Sequence, residues 1–479
     1  MAVNEEQLLN TWKEQQSYAE RMMPLIGQLF RDKGVILEIF GRSLIHATTI
    51  NIIKAHRFAR QVSGYELSLA NSFNLVERLM SMDIKACKID LGKLNQQHVE
   101  VSDGATTDEY LAKCLASVVG QTAQPSGPKD VVLFGFGRIG RLLARLLIER
   151  TGSGTQMRLR AIVVRGKCDL NDLQKRASLL RRDSVHGQFN GTVVIDEENK
   201  ALIANGNYIH IIPSSNPEDI DYEKYGIGDA LLVDNTGIFK DEAGLSRHLQ
   251  AKGISKVLLT APAKGSIKNI VYGVNDQSIE ESDTILSAAS CTTNAITPVL
   301  KAINDRYVVV NGHMETVHAY TNDQNLIDNY HSASRRGRSA PLNMVLTETG
   351  AASAVAKALP ELEGKLTGNA IRVPTPNVSM AVLNLNLENA TTKDELNEYL
   401  RDIALHSSLQ DQIDYTASTE LVSSDLVGSR HAGVIDSETT IAKDNRCVVY
   451  VWYDNEFGYS CQVIRMMQKM AGFEYVNLP

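Results

Sequence analysis

Cys291 and His318 are the residues of this sequence whose types and spacing best fit covalent chemistry. Cys291 stands in a polar stretch at the start of a predicted helix, and the positive end of a helix dipole favours the nucleophilic thiolate. His318 ends the next predicted strand, 27 residues later, so a helix and a returning strand can bring the two side chains together. A free cysteine is more often a core residue. Only the combination predicts a thiol nucleophile with a histidine base.

Further along the chain, three segments carry groups that bind anions. A basic run at residues 335–338 includes Arg336; it is either a solvated surface or a phosphate site. Thr349 and Gly350 precede a predicted helix whose free backbone N–H groups can hold phosphate. Arg372 lies in a predicted strand. Two phosphate-sized sites near one thiol would imply a phosphorylated substrate together with inorganic phosphate.

A glycine-rich turn follows the apolar strand predicted at residues 131–134. Its glycines are Gly135, Gly137 and Gly140, in the GxGxxG spacing, and a helix and a second strand (158–164) follow in the order that a dinucleotide site requires. The first glycine permits the tight turn, the second lets the backbone approach a pyrophosphate, and the third allows close packing of helix on strand. The alternative is a glycine-rich turn that binds nothing. The context predicts a dinucleotide site.

The end of the second strand bears on which cofactor is used. NAD sites usually place a carboxylate there for the ribose 2′-hydroxyl. This chain has Arg165 and Lys167, and no carboxylate before Asp169. A guanidinium matches the geometry of a 2′-phosphate, so Arg165 is either a contact to NADP or a solvated loop residue.

Composition narrows the class of protein. With 479 residues, 43% hydrophobic and 22% charged, the sequence predicts a soluble globular chain of two or three domains. A net charge of −7 argues against a dedicated nucleic-acid or membrane-surface binder. We find no secretory signal and no apolar run long enough for a membrane span. Six cysteines without CxxC spacing argue against a metal site or a disulfide framework and favour a reduced, cytoplasmic protein.

The elements that must position these groups fall into three regions. Residues 1–120 show helical spacing of apolar residues, and the Pro- and Gly-rich residues 121–129 read as a linker. Short β-rich runs then alternate with helices, which predicts an α/β fold with a parallel sheet. Past residue 305 longer strands predict a second layer on a larger, mostly antiparallel sheet.

Seven motifs taken together resemble the glyceraldehyde-3-phosphate dehydrogenase family. They occur in the family's order over about residues 130–479, and the motif around Cys291 is highly specific. The motifs lie at residues 135–141, 183–187, 290–294, 316–321, 364–368, 372–379 and 452–460. The resemblance implies a Rossmann-type dinucleotide-binding domain (130–290 with 454–479) and an α+β catalytic domain (291–453). Ahead of them stands an all-α N-terminal region (1–120) without a counterpart in the usual enzyme.

The resemblance also implies roles for individual residues. It makes Cys291 the nucleophile and His318 the base. The residues that it assigns to the cofactor, with the glycines of the turn, are Arg138, Ile139, Thr236, Gly237, Thr260 and Asn455. Those that it assigns to the substrate phosphate are Thr321 and Arg372, and those around the attacking phosphate are Ser290, Thr292, Arg336, Thr349 and Gly350.

The implied reaction is the phosphorylating oxidation of an aldehyde phosphate. Cys291 thiolate adds to the aldehyde, His318 takes the hydroxyl proton, hydride passes to NAD or NADP, and inorganic phosphate cleaves the resulting thioester. The resemblance further implies a homotetramer in which a loop at residues 321–338 packs against a neighbour. No metal, nucleic acid or membrane partner is expected.

Some positions depart from the family pattern. Phe134 stands where the family has Asn, Asn235 where it has Ser, and Phe457 where it has Trp. Residues 164–165 stand where the family has an Asp at the end of the second strand, so the choice between NAD and NADP as cofactor is left open. An erythrose-4-phosphate dehydrogenase is the close alternative. A regulatory protein that uses the enzyme fold as a platform is the alternative of another class.

Overall fold

A computed structural model describes residues 5–64, 66–101, 106–120, 127–333, 335–473 and 475–479. The chain divides into two compact units. The first comprises Met1–Pro128, Thr151–Gln156 and Phe473–Pro479, and the second comprises Lys129–Arg150 and Met157–Gly472. Within the described ranges, no helix is both long and apolar enough to cross a membrane.

Helices make up most of the first unit, as predicted. They are α1 (Glu5–Lys33), α2 (Thr49–Ser63), α3 (Leu69–Ser81), α4 (Leu91–Val101) and α5 (Thr107–Cys114). The buried face of α1 carries Met22, Ile26 and Leu29, at the three- and four-residue steps that make a helix amphipathic. Thr48 and Ser68 cap α2 and α3 by accepting a backbone N–H of the first turn.

The first unit also contains a small sheet, so the all-α prediction for this region is wrong. Its strands are β1 (Ile36–Ile39), β2 (Arg42–Ser43) and β3 (Lys88–Asp90), joined by the C-terminal strand Asn477–Leu478 in the order β2-β1-β3-C-terminal strand. Strands of two to four residues are too short to show an alternating pattern. The final residues, assigned from sequence to the dinucleotide-binding domain, pair with β3 instead. Most of the predicted linker, residues 121–126, lies outside the described residues.

The second unit begins with the predicted Rossmann-type sheet. Its strands are β4 (Lys129–Phe134), β5 (Met157–Val164), β8 (Val193–Asp196), β9 (Ala201–Ala204), β10 (Asn207–Pro213), β11 (Ala230–Asp234), β12 (Ile254–Leu259) and β13 (Ile285–Ser287). Two further strands, β6 (Arg182–Asp183) and β7 (Gly187–Gln188), form a separate antiparallel pair. Its helices are α6 (Arg138–Glu149), α7 (Leu170–Arg181) and α8 (Glu242–Leu249). The eight-stranded sheet has the order β13-β12-β11-β4-β5-β10-β9-β8, and the strands from β13 to β10 are parallel.

The strand order reverses at β4, which lies between β5 and β11. In open parallel sheets, ligands bind at the carboxyl ends of the strands where the order reverses. Phe134, the last residue of β4, pairs with Val163 on one side and with Asp234 on the other. The GxGxxG turn therefore begins at the position where a dinucleotide is expected to bind.

The rest of the second unit is the predicted α+β part. Its strands are β14 (Val309–Ala319), β15 (Val345–Glu348), β16 (Leu366–Val373), β17 (Ser379–Leu387), β18 (Ile413–Thr416), β19 (Gly433–Lys443) and β20 (Arg446–Tyr453). Its helices are α9 (Cys291–Tyr307), α10 (Ala351–Ala358) and α11 (Lys393–His406). The helix that follows β20, α12 (Phe457–Ala471), lies in the range predicted for the dinucleotide-binding domain and packs against α6. The sheet order is β15-β16-β14-β17-β20-β19-β18, and four of its pairings are antiparallel, which confirms the predicted fold class.

The core of this part holds α9 against the sheet. Val299 and Ile303 of α9 belong to one buried cluster with Leu383 of β17 and Val449 of β20. Burial of large aliphatic side chains contributes about 1.5–3 kcal/mol each. The first residue of α9, Cys291, is thus placed by the packing of the whole helix.

Candidate active site

The thiol of Cys291 lies beside the imidazole of His318, as the sequence predicts. Sγ is 3.5 Å from Nε2. Ser290 is the N-cap of α9, and its hydroxyl accepts the backbone N–H of Thr293 at 3.0 Å. The chain between the two functional residues is α9 followed by β14.

Strand pairing places Arg372 next to the histidine. β14 and β16 run parallel with His318 opposite Arg372. Arg372 Nη1 lies 2.8 Å from His318 Nδ1, and it donates to the carbonyl of Ala319 at 2.9 Å and to Thr321 Oγ1 at 3.2 Å. The two hydrogens of Nη1 therefore have acceptors other than the imidazole.

The tautomer of His318 follows from these contacts. Nδ1 is 2.7 Å from the carbonyl oxygen of Ala319. A proton on Nδ1 is donated there, and Nε2 then carries a lone pair facing Sγ. This assignment rests on the hydrogen-bond network. It gives the imidazole the orientation that a general base for the thiol requires.

Burial dominates the protonation of the pair. It raises the pKa of Cys291 above its usual 9.0, although Arg372 and hydrogen bonds from Thr292 oppose the shift. Burial also lowers the pKa of His318 to about 4, and the positive charge of Arg372 acts in the same direction. The sequence predicts a thiolate favoured by the helix end, and desolvation of the charged form opposes that effect.

Two of the predicted anion-binding arginines are linked through one aspartate, Asp323, which Arg336 contacts directly and Arg372 reaches through Thr321. Arg336 Nη1 donates to Asp323 Oδ2 at 2.6 Å, and Arg336 Nη2 donates to Thr347 Oγ1 at 3.2 Å. Thr321 Oγ1 donates to the other oxygen of Asp323 and accepts from Arg372. The structure thus brings Thr321, Arg336 and Arg372 together. Sequence reasoning missed Asp323, because a single acidic residue beside a threonine carries no signal of its own.

The remaining predicted phosphate residues lie on two helix starts. Thr292 lies in the first turn of α9, and its hydroxyl is 3.0 Å from the hydroxyl of Tyr453 in β20. Thr349 Oγ1 accepts the backbone N–H of Ala351 at 3.2 Å, and Gly350 precedes α10, which packs against α9. In the described parts of the chain, no hydrogen bond joins Thr349 or Gly350 to Cys291.

The glycine turn fits a dinucleotide. Gly135 has φ +98°, which favours glycine, and a Cβ on Gly140 would stand 2.3 Å from the carbonyl oxygen of Gly135. A Cβ on Gly137 would meet nothing within 4 Å, so its backbone is open to an approaching group. No side chain caps α6, so the N–H groups of its first turn, including those of Arg138 and Ile139, can face a pyrophosphate.

Thr236, Gly237 and Thr260 lie at the same edge of the sheet. The backbone N–H and the hydroxyl of Thr236 each donate to Asp234 Oδ1 at 2.7 Å. The backbone N–H of Thr260 donates to the carbonyl of Asp234 at 3.0 Å. Asp234 ends β11, beside the end of β4. These residues therefore surround the crevice that the glycine turn opens onto.

Arg138 is held by carboxylates that the sequence analysis did not assign. Its Nη1 is 2.7 Å from Asp183 Oδ2, and its Nε is 2.8 Å from Glu456 Oε1. The side chain therefore serves as a tether, and its backbone is the part that can face a cofactor. Asn455, next to Glu456, accepts a hydrogen bond from Ser379 Oγ at 2.9 Å.

Comparison with known proteins agrees with these observations. Residues 129–242 match the family described as glyceraldehyde 3-phosphate dehydrogenase, NAD binding domain, and residues 290–455 match its C-terminal domain. A glyceraldehyde-3-phosphate dehydrogenase-like protein of Pseudomonas aeruginosa (strain UCBPP-PA14) is 62% identical over 461 residues, which cover 96% of this chain and 99% of that protein. That alignment is long enough to include most of residues 1–128.

Other relatives align without an N-terminal region. The glyceraldehyde-3-phosphate dehydrogenase of Zymomonas mobilis is 39% identical over 71% of this chain and 98% of its own length. Glyceraldehyde-3-phosphate dehydrogenase 2 of Bacillus subtilis (strain 168) is 38% identical over 71% of this chain and 96% of its own length. This chain belongs to the glyceraldehyde-3-phosphate dehydrogenase family.

Proposed function

We propose that the protein catalyses the phosphorylating oxidation of glyceraldehyde 3-phosphate to 1,3-bisphosphoglycerate, or the reverse reaction. The cofactor is NAD or NADP, and inorganic phosphate is the co-substrate. The observation that carries the proposal is the contact of 3.5 Å between Cys291 Sγ and His318 Nε2, with Arg372 beside the imidazole. A thiol, a base that faces it and a guanidinium for a phosphate are the groups that this reaction needs.

His318 moves one proton through the covalent steps. Nε2 takes the proton of Sγ as the sulfur bonds to the aldehyde carbon, and returns it to the aldehyde oxygen to give a thiohemiacetal. The nicotinamide cofactor, when bound, supplies the hydride acceptor that the oxidation requires. As the hydride leaves, Nε2 takes the hydroxyl proton back and a thioester remains on Cys291. A phosphate oxygen then attacks the thioester carbon, and the carbon–sulfur bond breaks as the acyl phosphate forms. The departing sulfur takes back the proton on Nε2, which restores the thiol and the neutral imidazole, and the proton of the phosphate is released to solvent.

The test is steady-state turnover of glyceraldehyde 3-phosphate and erythrose 4-phosphate, each with and without inorganic phosphate. We expect phosphate-dependent turnover with a higher kcat/KM for glyceraldehyde 3-phosphate. A higher value for erythrose 4-phosphate would identify the alternative enzyme. No turnover of either aldehyde, with Cys291 still open to iodoacetate, would favour a binding or regulatory protein.

The two arginines are expected to serve different phosphates. Arg372→Ala should raise the KM for the aldehyde phosphate most, and Arg336→Ala the KM for inorganic phosphate, each through loss of about 1.5–3 kcal/mol from a charge-assisted contact. Arg338→Ala is the matched control, because that side chain is 66% exposed and pairs with Asp328. Initial rates over a grid of both concentrations give the two constants. Equal effects of both changes on both constants would contradict the division.

For the cofactor, we propose that the enzyme uses NADP at least as well as NAD. β5 ends beside the glycine turn, since the N–H of Gly135 donates to the carbonyl of Val163 at 2.9 Å. Arg165 follows the strand and is exposed. Asp169 is the N-cap of α7, and its carboxylate already accepts the N–H of Asp172 at 2.9 Å. No carboxylate on the strand end then repels a 2′-phosphate, and Arg165 and Lys167 are available to attract one.

Arg165→Asp should shift the ratio of the two kcat/KM values toward NAD by about tenfold or more, an effect of roughly 1.4 kcal/mol. The control Lys175→Asp makes the same change of charge on the exposed side of α7. Initial rates with NAD and NADP at matched concentrations provide the ratio. The wild type could instead prefer NAD strongly, with a preference that Asp169→Ala changes and Arg165→Asp does not. That result would show that Asp169 binds the ribose.

We also propose a cytoplasmic homotetramer. The loop that follows β14 exposes large apolar side chains: Leu326 is 74%, Ile327 74% and Tyr330 90% exposed in the single chain. An exposed apolar patch of this kind typically marks a protein interface. A reduced compartment suits an enzyme that depends on a free thiol. Light scattering at micromolar concentration should give four times the chain mass of 52.7 kDa, and the mass of a monomer would refute the assembly.

A further inference from the structure

The segment 183–187 takes no part in the proposed chemistry, yet two of its side chains are almost completely enclosed. Those of Asp183 and His186 are 5% and 4% exposed. Asp183 Oδ1 accepts the backbone N–H groups of Val185 and His186, each at 2.9 Å. The segment is therefore a tight turn closed on its own carboxylate, which gives its side chains a fixed direction.

Asp183 connects this turn to both sides of the cofactor crevice through Arg138. The guanidinium of Arg138, at the start of α6, contacts Asp183 Oδ2 and both carboxylate oxygens of Glu456. Bidentate arginine–carboxylate pairs fix relative orientation as well as distance. One guanidinium thus joins three places. They are the turn at 183–187, the start of α6 where a pyrophosphate is expected, and Glu456, the residue that follows Asn455.

His186 holds the other neighbour of Asn455. Its Nε2 is 3.1 Å from Asp454 Oδ2. Asp454 Oδ1 in turn accepts the backbone N–H groups of Glu456 at 3.0 Å and of Phe457 at 2.8 Å. Asp454 therefore closes a turn around Asn455, and the imidazole of His186 also stacks on the ring of Phe457, with centroids 5.7 Å apart.

The charge on Asp454 is maintained by these contacts. Burial alone would raise the pKa of this carboxyl, but the hydrogen bonds from His186 and from the backbone N–H of Gly428 hold the pKa below its usual value. On the far side of the turn, Ser379 Oγ donates to Asn455 Oδ1 at 2.9 Å. The amide of Asn455 is thus oriented with Nδ2 as its donor.

We propose that Asp183 and His186 are positioning residues, which hold Asn455 through Asp454 and Glu456 so that its amide orients the nicotinamide toward the carbon bound to Cys291. This inference rests on the proposed function and extends it to the motif at 183–187. A change at His186 leaves the contact between Asp183 and Arg138 at the glycine turn in place and displaces the amide of Asn455. It should therefore slow hydride transfer much more than it weakens cofactor binding, because small displacements at a reacting centre carry large rate penalties.

The experiment compares His186→Leu with His186→Gln, whose amide nitrogen can replace Nε2 as the donor to Asp454. His186→Leu should lower kcat by about ten- to hundredfold. The cofactor Kd, measured by fluorescence, should change by less than about threefold. The deuterium isotope effect on kcat, with aldehyde deuterated at C1, should rise as hydride transfer becomes limiting.

His186→Gln should recover most of the rate. His313→Gln, on a half-exposed histidine of β14, is the control and should match the wild type.

Asp183→Asn is the second variant, in case the leucine variant does not fold. It keeps the shape of the turn, removes the charge that Arg138 contacts, and should show the same pattern with a smaller loss of kcat. Unchanged kcat and isotope effect in both variants would overturn the proposal. So would parallel losses of cofactor affinity, melting temperature and kcat, which would indicate a merely structural role.

Asn455→Ala separates this inference from the proposed function. If His186 acts through Asn455, His186→Leu should add little to the loss of rate already caused by Asn455→Ala, as a double-mutant cycle measures. Full additivity would overturn the positioning role while leaving the assignment of Asn455 in place. If Asn455→Ala by itself leaves hydride transfer unchanged, the nicotinamide assignment is wrong and the positioning role fails with it.

Discussion

Cys291→Ser is expected to abolish dehydrogenase activity while folding and cofactor binding stay intact. A serine hydroxyl is far less ionised than a thiol at neutral pH and is a poorer nucleophile in this setting. The Cys291 side chain stands next to His318 at the start of α9, and serine is close in size, so the packing of the helix is preserved. Turnover, cofactor titration and thermal melting measure the three properties.

Cys114→Ser is the control for this substitution. Cys114 is a free, partly exposed thiol in the first unit, so its replacement should leave turnover unchanged. Iodoacetate should inactivate both the wild type and the Cys114 variant, with one carboxymethyl group on Cys291. Residual turnover of Cys291→Ser within about tenfold of wild type, a barrier change of only about 1.4 kcal/mol, would reject Cys291 as the nucleophile.

The second large effect is expected for His318→Asn, which should slow hydride transfer by about two to four orders of magnitude, the usual contribution of a general base. Nε2 lies 3.5 Å from Sγ with its lone pair toward the thiol, so its loss also removes the acceptor of the thiol proton. Alkylation of Cys291 by iodoacetate should slow as well. His313→Asn, on the same strand, is the control.

The pH dependence checks the same pair. Burial is the main cause that lowers the pKa of His318 to about 4, and the charge of Arg372 is the second. The unprotonated base is therefore present at neutral pH and is lost only as the pH falls toward 4. Because burial raises the pKa of Cys291 above its usual 9.0, alkylation of the free enzyme should still be accelerating when the pH passes 9.0. Alkylation and turnover unchanged in His318→Asn would refute the pairing.

Local rules account for the parts of the fold that were predicted correctly. The glycine turn with its flanking strand and helix needs only neighbouring residues, and Gly140 shows why: a side chain there would strike the carbonyl of Gly135. The buried face of α1 follows from the spacing of its apolar residues. The pairing of Cys291 with His318 was predictable because α9 and β14 are consecutive elements.

Other features depend on contacts between segments that are distant in the chain. Asn477–Leu478 completes a sheet begun near residue 36, and no local pattern near the C-terminus indicates that pairing. Strands of two to four residues leave no periodic trace, so the sheet of the first unit was missed. Asp323, between Arg336 and Thr321, also becomes meaningful only once the loop is folded.

By itself, the sequence predicted which groups are suited to the chemistry, and it fixed the order in which they occur, because residue types and short spacings are local. The tertiary structure decided their protonation and their orientation. The parallel pairing of β14 with β16 sets Arg372 beside His318, and desolvation of Cys291 opposes the effect expected from its helix end. Asp169 caps α7, Asp183 contacts Arg138, and His186 contacts Asp454. Each of these outcomes depends on desolvation or on long-range pairing, which exist only in the folded chain.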